Sequence, residues 1–512
     1  VTDNRRRIKG RPETESGTGT RSSPGLNVLM VAAEAVPFAK IGGLADVAGA
    51  LPAELSEFGI GTSLFMPFYR EIRLKGFDPR PTGIRFSLVH GGEKRDCRVL
   101  SLKRDGATFY FLDEPEFFER EWVYGPPGGE YPDSALRFSF LSRACLLAAQ
   151  EMGLTPDLVH CHDWHAALVP LYMGTGEVDP GWKEVPSLLT IHNLAYQGQF
   201  GSQIFPALGL GEEVLEKGVL EWWGNLNFLK AGILTADAVS TVSPTYASEI
   251  VTAPQGMGLD SYLNVFGSRL RGILNGLDYE IWNPETDLDL VANFSSLDPA
   301  KRSVNLEALR RQLGLYPIAE APLFAFVGRL VQQKGADIIA RAMTEMFDRG
   351  IQLVILGSGE YDLEESLLAA AKPHRGMISV NIGFNDTLAR RIYASSDFFL
   401  MPSRFEPCGL GQMIAMRYGC IPVVRATGGL RDTVSDLGSD PDQGNGFVFE
   451  KDNEVDLLGA VDRAARFFRE GRALDVSTRI MSEDHSWRHS ASIYAKFYRE
   501  ILAEKGGKTV EK

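Results

Sequence analysis

Paired cysteines, a basic excess and any long apolar run are all missing from this 512-residue chain, and each absence removes a class of protein. The five cysteines, Cys97, Cys145, Cys161, Cys408 and Cys420, are odd in number and form no CxxC pair. That pattern favours free thiols in a reducing compartment over a disulfide framework. A net charge of -13 argues against nucleic acid as the main partner and points to a small or neutral ligand. No stretch approaches the roughly 18 unbroken apolar residues of a membrane span, so a soluble protein with no membrane partner is expected. Residues 1–24 have no apolar signal-peptide core; with Arg5-Arg6-Arg7 and a Gly/Thr/Ser/Pro-rich run they read as a disordered tail. An organelle transit peptide is the alternative, but Asp3, Glu13 and Glu15 fit that acid-poor composition badly.

What is present is enough apolar material for two cores: 44% of a chain longer than one core normally organises. From Leu26 onward short apolar strands alternate with helix-compatible stretches, the pattern of parallel βαβ units. Asn27 to Ala33, Asp157 to His160, Ser187 to Thr190 and Ala238 to Val242 read as strands of a first half, the last of these closing it. An irregular stretch from Gly276 to about Asp298 follows. The rhythm restarts at Leu323 to Val327 and continues with Leu353 to Leu356, Ile378 to Asn381, Phe398 to Met401 and Ile421 to Val424. The expected fold is α/β, two Rossmann-like doubly wound domains facing a central cleft, with ligands at the carboxyl ends of the strands. Domain boundaries are expected at 25–280 and 281–485.

Basic, Gly-flanked loops follow the first strand of each half: Lys40-Ile41-Gly42-Gly43-Leu44, and Gly328-Arg329 to Lys334-Gly335. Backbone N–H groups at such turns, with a guanidinium or ammonium beside them, suit a phosphate. A solvated lysine or arginine at an ordinary turn is the alternative at each. Glu406 stands in a rigid loop before a helix, either as a helix N-terminal partner or as a ligand for sugar hydroxyls and developing positive charge. Ala426-Thr427-Gly428-Gly429-Leu430 opens another helix as a second backbone nest. His160-Cys161-His162-Asp163-Trp164-His165 invites a metal reading, yet no HExxH or second ligand cluster supports one; Asp163 there equally suits a hydroxylated substrate. The run His192-Asn193-Leu194-Ala195-Tyr196-Gln197-Gly198 has the hydrogen-bonding and aromatic composition of a sugar site, with a structural histidine as the alternative.

Taken in order, these segments resemble the bacterial and plant glycogen/starch synthase family over roughly Asn27 to Leu502. The carriers are KxGGL at Lys40 to Leu44 with Ala45-Asp46-Val47, HDWH at His162 to His165, the His192 to Gly198 run, STVSPTY at Ser240 to Tyr246, the Asn275 to Asp278 turn, Gly328 to Gly335, RFEPCGL at Arg404 to Leu410 and TGGL at Thr427 to Leu430. The resemblance implies a GT-B fold, with a C-terminal helix in 486–512 crossing back toward the N-terminal domain, and an ADP-glucose-dependent retaining glucosyltransferase acting on an α-1,4-glucan, glycogen or starch, without a cofactor or metal. It assigns the diphosphate to Lys40, Arg329 and Lys334, with backbone help from Gly42, Gly43, Thr427, Gly428 and Gly429. Glucose contacts fall to His192, Asn275 and Glu406, and Asp163 lies toward the transferred sugar. Asp46, Asn193, Gly383, Phe384, Cys408 and Gly409 complete the implied substrate-binding set. A bacterial cytoplasm is the expected location, with a plastid stroma as the alternative.

Two positions depart from related patterns. Sucrose- and trehalose-type relatives carry Glu-x7-Glu, whereas the eighth residue after Glu406 is Ile414. Where the family often has Tyr for base stacking, this chain has Phe384, whose ring still offers a stacking face. The competing readings are a UDP-glucose-dependent transferase of the same fold and an inactive glucan-binding homologue.

Overall fold

The computed structural model describes residues 25–126, 129–176 and 178–510. The tail expected over residues 1–24 lies outside the described residues. Two units are resolved, one formed by the described residues up to Thr241 with 250–273 and those from Trp487 onward, the other by 242–249 and 274–486.

The first unit is built on a nine-stranded sheet. Its strands are β1 (Leu26–Val31), β2 (Ile60–Pro67), β3 (Arg80–His90), β4 (Glu93–Arg104), β5 (Ala107–Asp113), β6 (Leu158–His162), β7 (Ser187–Ile191), then, after a small sheet of β8 (Gln199–Gly201), β9 (Glu221–Trp222) and β10 (Asn225–Asn227), β11 (Ala238–Thr241) and β12 (Leu270–Gly272). Their order across the large sheet is β12-β11-β7-β6-β1-β2-β5-β4-β3. Pairing is parallel from β12 to β5. Strands β6 and β7 are buried at every residue, as a parallel sheet covered on both faces requires.

Two expectations need correction here. The parallel βαβ pattern does not run through the whole unit, because β3, β4 and β5 form an antiparallel ribbon joined by the two-residue loops Gly91-Gly92 and Asp105-Gly106, all with positive φ. Such loops match the twist of adjacent antiparallel strands and hold them in sequence order. Nor does the Ala238 strand close the sheet: β12 adds to its edge, three residues long.

The second unit carries six strands, β13 (Leu323–Val327), β14 (Gln352–Gly357), β15 (Ile378–Ile382), β16 (Phe398–Met401), β17 (Ile421–Arg425) and β18 (Phe447–Phe449). Their order is β15-β14-β13-β16-β17-β18, every pair parallel. This is the doubly wound order in which connections reverse direction beside the first strand. The helix Ala336–Asp348 shows how the core is filled: Ile338, Ile339, Ala342, Met343 and Met346 repeat at helical spacing and are all buried.

The C-terminal helix Trp487–Val510 belongs to the first unit and packs on the helix Gly43–Glu57. Tyr498 on it meets His160 Nδ1 at 2.8 Å, while Arg271 pairs with Glu500 at 2.8 Å and Lys505 with Asp237 at 3.0 Å. Among the described residues no helix is long and apolar enough to cross a membrane.

Candidate active site

In the first unit the strand order reverses between β1 and β6, so the loops leaving those two neighbours flank the crevice where α/β sheets receive ligands. The β1 loop carries Lys40, Gly42 and Gly43, and the β6 exit carries Asp163. Lys40 Nζ donates to Asp46 Oδ1 at 2.6 Å, so the first turn of the helix Gly43–Glu57 holds the ammonium. Glu34, which the sequence reading did not single out, is buried beneath this loop. It accepts the backbone N–H groups of Ile41 and Gly42 on Oε2 and the Tyr124 hydroxyl on Oε1 at 3.1 Å. Loss of water outweighs these bonds, and its carboxyl is pushed up to about 7.

Asp163 adopts a positive φ of 55° at the end of β6. Its Oδ1 accepts the N–H of His192 at 2.7 Å, which ties the β6 exit to the β7 exit. Burial raises this carboxyl to about 7 as well, with Glu34 adding to the rise. His162 Nδ1 and His192 Nε2 lie 3.0 Å apart, and burial drives both imidazoles below their usual range, His192 to about 3. His160 lies deeper and is committed to structure: its second ring nitrogen meets Thr190 Oγ1 at 2.6 Å, and burial lowers it to about 3. His165 stacks between Trp164 and Tyr124. Burial thus keeps His160, His162 and His192 on the neutral side at neutral pH, as hydrogen-bonding groups and not as charges. Asn193 Oδ1 accepts the N–H of Ala195 at 3.0 Å and shapes the turn before Tyr196.

In the second unit the reversal falls between β13 and β16. Arg329 and Lys334 follow β13, and Glu406 follows β16. The two loops meet: Lys334 Nζ lies 2.5 Å from Glu406 Oε2, and the Ser403 hydroxyl donates to the same oxygen at 3.0 Å. Glu406 is 5% exposed, so this is a nearly dry carboxylate. Gly335 permits the approach, because its φ is 73° and an added Cβ would lie 2.2 Å from the Pro402 carbonyl oxygen. Arg329 donates to Gln333 Oε1 at 3.1 Å on the rim.

Gly428 and Gly429, after Thr427 in the same turn, also reach Glu406. The N–H of Gly429 donates to the Glu406 carbonyl at 3.0 Å, and a Cβ on Gly428 would lie 2.0 Å from that oxygen. The nest itself holds an internal anion: Glu249 Oε1 accepts the Gly428 N–H at 3.0 Å and the Thr427 hydroxyl at 3.2 Å. Glu249 was not foreseen either, since it lies 179 residues away in sequence. Cys408 is buried, and burial pushes its thiol up to about 12, so it packs as an uncharged side chain. Gly409 has a φ of 75° and leads into the helix Gly411–Arg417. Asn275 is buried beside Cys408, and its Oδ1 has no hydrogen-bond partner among the described residues. Gly383 has a φ of 122° at the end of β15, and Phe384 after it is 92% exposed.

The starch synthase catalytic domain model matches residues 27–265, and the group 1 glycosyl transferase model matches residues 314–466. The chain is 42% identical over 479 residues to a glycogen synthase of Syntrophotalea carbinolica, covering 93% of this chain and 99% of that protein. A glycogen synthase of Geotalea daltonii is 41% identical over 483 residues, 94% of this chain and 100% of that protein. Among solved structures, the catalytic domain of starch synthase IV from Arabidopsis thaliana, bound to ADP and acarbose, matches with a TM-score of 0.85 and 34% identity. That match covers 94% of this chain and all of the other. A sucrose-phosphate synthase from Thermosynechococcus elongatus, at 16% identity and a TM-score of 0.55 over 94% of this chain and all of that one, shares the fold.

Proposed function

Because the chain belongs to the glycogen and starch synthases, a family of GT-B glycosyltransferases, we propose that it moves glucose from ADP-glucose to the non-reducing end of an α-1,4-glucan with retention of configuration. The observation that carries this reading is the Lys334–Glu406 pair at the strand-order reversal of the second unit, with the unpartnered Asn275 Oδ1 near the same loop. A cation, a carboxylate and a free acceptor at one switch point suit a sugar diphosphate better than a neutral metabolite. ADP in the starch synthase IV complex supports the choice of base.

In this reading Arg329, Lys334 and Lys40 carry the diphosphate, with Gly42, Gly43 and the Thr427 to Gly429 turn assisting. Phe384 stacks on adenine beside Gly383. Glu406, Asn275 and His192 hold glucose, and Asp163 lies toward the transferred sugar. Asp46 orients Lys40, while Asn193, Cys408 and Gly409 shape the walls. As the bond from the anomeric carbon to the phosphate oxygen breaks, negative charge grows on ADP, and fixed cations stabilise it. The acceptor hydroxyl attacks the same face, and its proton passes to the departing phosphate. The N-terminal domain expected over 25–280 takes the acceptor side and the domain expected over 281–485 the nucleotide side, in a bacterial cytoplasm.

The test is release of ADP or UDP from purified protein given ADP-glucose or UDP-glucose, with and without glycogen and with EDTA. Faster, EDTA-insensitive turnover of ADP-glucose that depends on glycogen is expected. Preference for UDP-glucose overturns the donor assignment, loss of rate on chelation overturns the metal-free role given to Lys40, Arg329 and Lys334, and no turnover with either donor overturns the activity.

A further inference from the structure

One hairpin in the first unit carries a side chain that neither packing nor turn chemistry explains. Strands β9 and β10 pair Trp222 with Asn225, leaving the two-residue loop Trp223-Gly224, whose φ values are 51° and 81°. Two positive φ angles mark the hairpin turn that favours Asn, Asp or Gly at its first position, because a larger L side chain is strained there. The other two-residue hairpins of this unit obey the rule with Gly91-Gly92 and Asp105-Gly106. Trp223 does not. Among the described residues it gains little inside the fold in return, being 86% exposed, with an edge contact to Trp222 at 6.4 Å between ring centroids.

The hairpin beneath it is braced by hydrogen bonds. Lys230 Nζ donates to the carbonyls of Gly218 and Glu221 at 2.8 and 2.6 Å, and the Gly224 N–H donates to Glu221 Oε1 at 2.9 Å. The hairpin is also an extension of the candidate site. Strand β10 pairs with β8, and Asn227 donates to Gln197 Oε1 at 2.7 Å, in the same run that begins with His192. Gln197 Nε2 in turn donates to the Met257 carbonyl at 3.2 Å. Gly258, next in the chain, lies against the Trp222 ring. Tyr196, within that run, and Met257, whose carbonyl that run holds, are both partly exposed.

We infer that Trp223, on a hairpin tied to the His192 run, is a docking point for an α-glucan chain, on which the apolar face of a glucose ring stacks. This deepens the proposed function and rests on it for the identity of the polymer. A rigid, exposed aromatic presents area without an ordering cost, and a neutral sugar face needs no charge opposite it. Continuity with the His192 run leads a chain held at Trp223 toward the residues assigned to the transferred glucose.

The test uses the full chain and two readouts. Trp223→Ala is expected to raise the half-saturating concentration of glycogen about tenfold, with the KM for the nucleotide sugar and the maximal rate unchanged. Trp223→Phe, which keeps a stacking face, is expected to restore the affinity. Trp223→Asn, which relieves the turn, is expected to bind glycogen as poorly as the alanine variant while folding at least as well. Affinity electrophoresis in glycogen-containing gels reads the same loss without catalysis, so it still decides the matter if the donor assignment fails. Unchanged retardation and glycogen saturation in Trp223→Ala overturns the inference while leaving the proposed function standing. A change in sedimentation without a change in glycogen affinity also overturns it, by assigning the surface to a second copy of the chain.

Discussion

Removing the Lys334 ammonium separates what this residue does for the fold from what it does for the ligand. Glu406 is 5% exposed, and its Oε2 is held by Lys334 at 2.5 Å and by Ser403 at 3.0 Å. In Lys334→Ala the carboxylate keeps only the hydroxyl, and its charge stays out of water. Breaking a fully buried pair costs about 3–5 kcal/mol. Because the Lys334 side chain is 22% exposed, some of its charge is already solvated, and about 2 kcal/mol is the fitting figure here. For a unit of this size that loss lowers the unfolding midpoint by about 4–8 °C. Independently, a lost charge-assisted contact to phosphate weakens ADP binding by about ten- to a hundredfold.

The double variant Lys334→Ala/Glu406→Gln separates the two effects. A neutral glutamine needs no counter-charge and can still accept from Ser403, so stability is expected to return to within about 1 kcal/mol of the parent. ADP affinity, measured by titration calorimetry, is expected to stay as low as in the single variant. Two results refute the reasoning. Full stability in Lys334→Ala means that Glu406 is adequately solvated without its partner. Recovered ADP binding in the double variant means that Lys334 acts only by placing Glu406 and does not meet the diphosphate.

Glu34→Gln carries a pH signature. The Glu34 carboxyl is raised from 4.5 to about 7, so the folded state binds its proton more tightly than the unfolded one, and stability present below about pH 4.5 is lost as pH rises through 7. Glutamine does not titrate, so denaturation curves are expected to show the variant gaining up to about 3 kcal/mol on the parent between pH 5 and pH 8.5; a constant difference between the two sinks the assignment. Gly335→Ala, with a Cβ 2.2 Å from the Pro402 carbonyl, is expected to cost over about 2 kcal/mol and to weaken ADP binding by displacing Lys334. Gly314→Ala, at a similar φ of 68° with open space around it, is expected to cost only about 1 kcal/mol and to leave ADP binding alone; equal effects of the two on calorimetric ADP titration refute the steric argument.

The sequence made strand ends legible because buried parallel strands are apolar throughout and are punctuated by glycine, as at Val327-Gly328 and Leu356-Gly357. The β3–β4–β5 ribbon escaped a search for βαβ units although its loops, Gly91-Gly92 and Asp105-Gly106, are ordinary hairpin signals. Strands β12 and β18, three residues each, have no periodicity to detect. Glu249 and Tyr498 were invisible for another reason. Their partners Gly428 and His160 lie 179 and 338 residues away, and only the folded chain brings them together. Glu34 was closer, eight residues before Gly42, but its role depends on burial, which a lone carboxylate in sequence does not advertise.

Glu34 and Glu249 share a consequence for how anions are handled. Gly42 and the Thr427–Gly428 turn are among the backbone sites that sequence reasoning assigned to phosphate, and each holds an internal carboxylate, Glu34 at Gly42 and its neighbour Ile41, Glu249 at Thr427 and Gly428. An unsatisfied buried N–H costs about as much as a lost hydrogen bond, so a nest kept ready for an intermittent ligand needs a partner in the meantime. A carboxylate meets that need with the same geometry and sign as a phosphate oxygen. A diphosphate using the Thr427–Gly428 donors therefore has to offer more than Glu249 does, and hydrogen bonding alone is no advantage because the bonds are already made. Its surplus is the additional negative charge, which counts only if cations such as Arg329 and Lys334 in the same unit receive it. Affinity for the nucleotide should accordingly depend more on those two side chains than on the backbone nest.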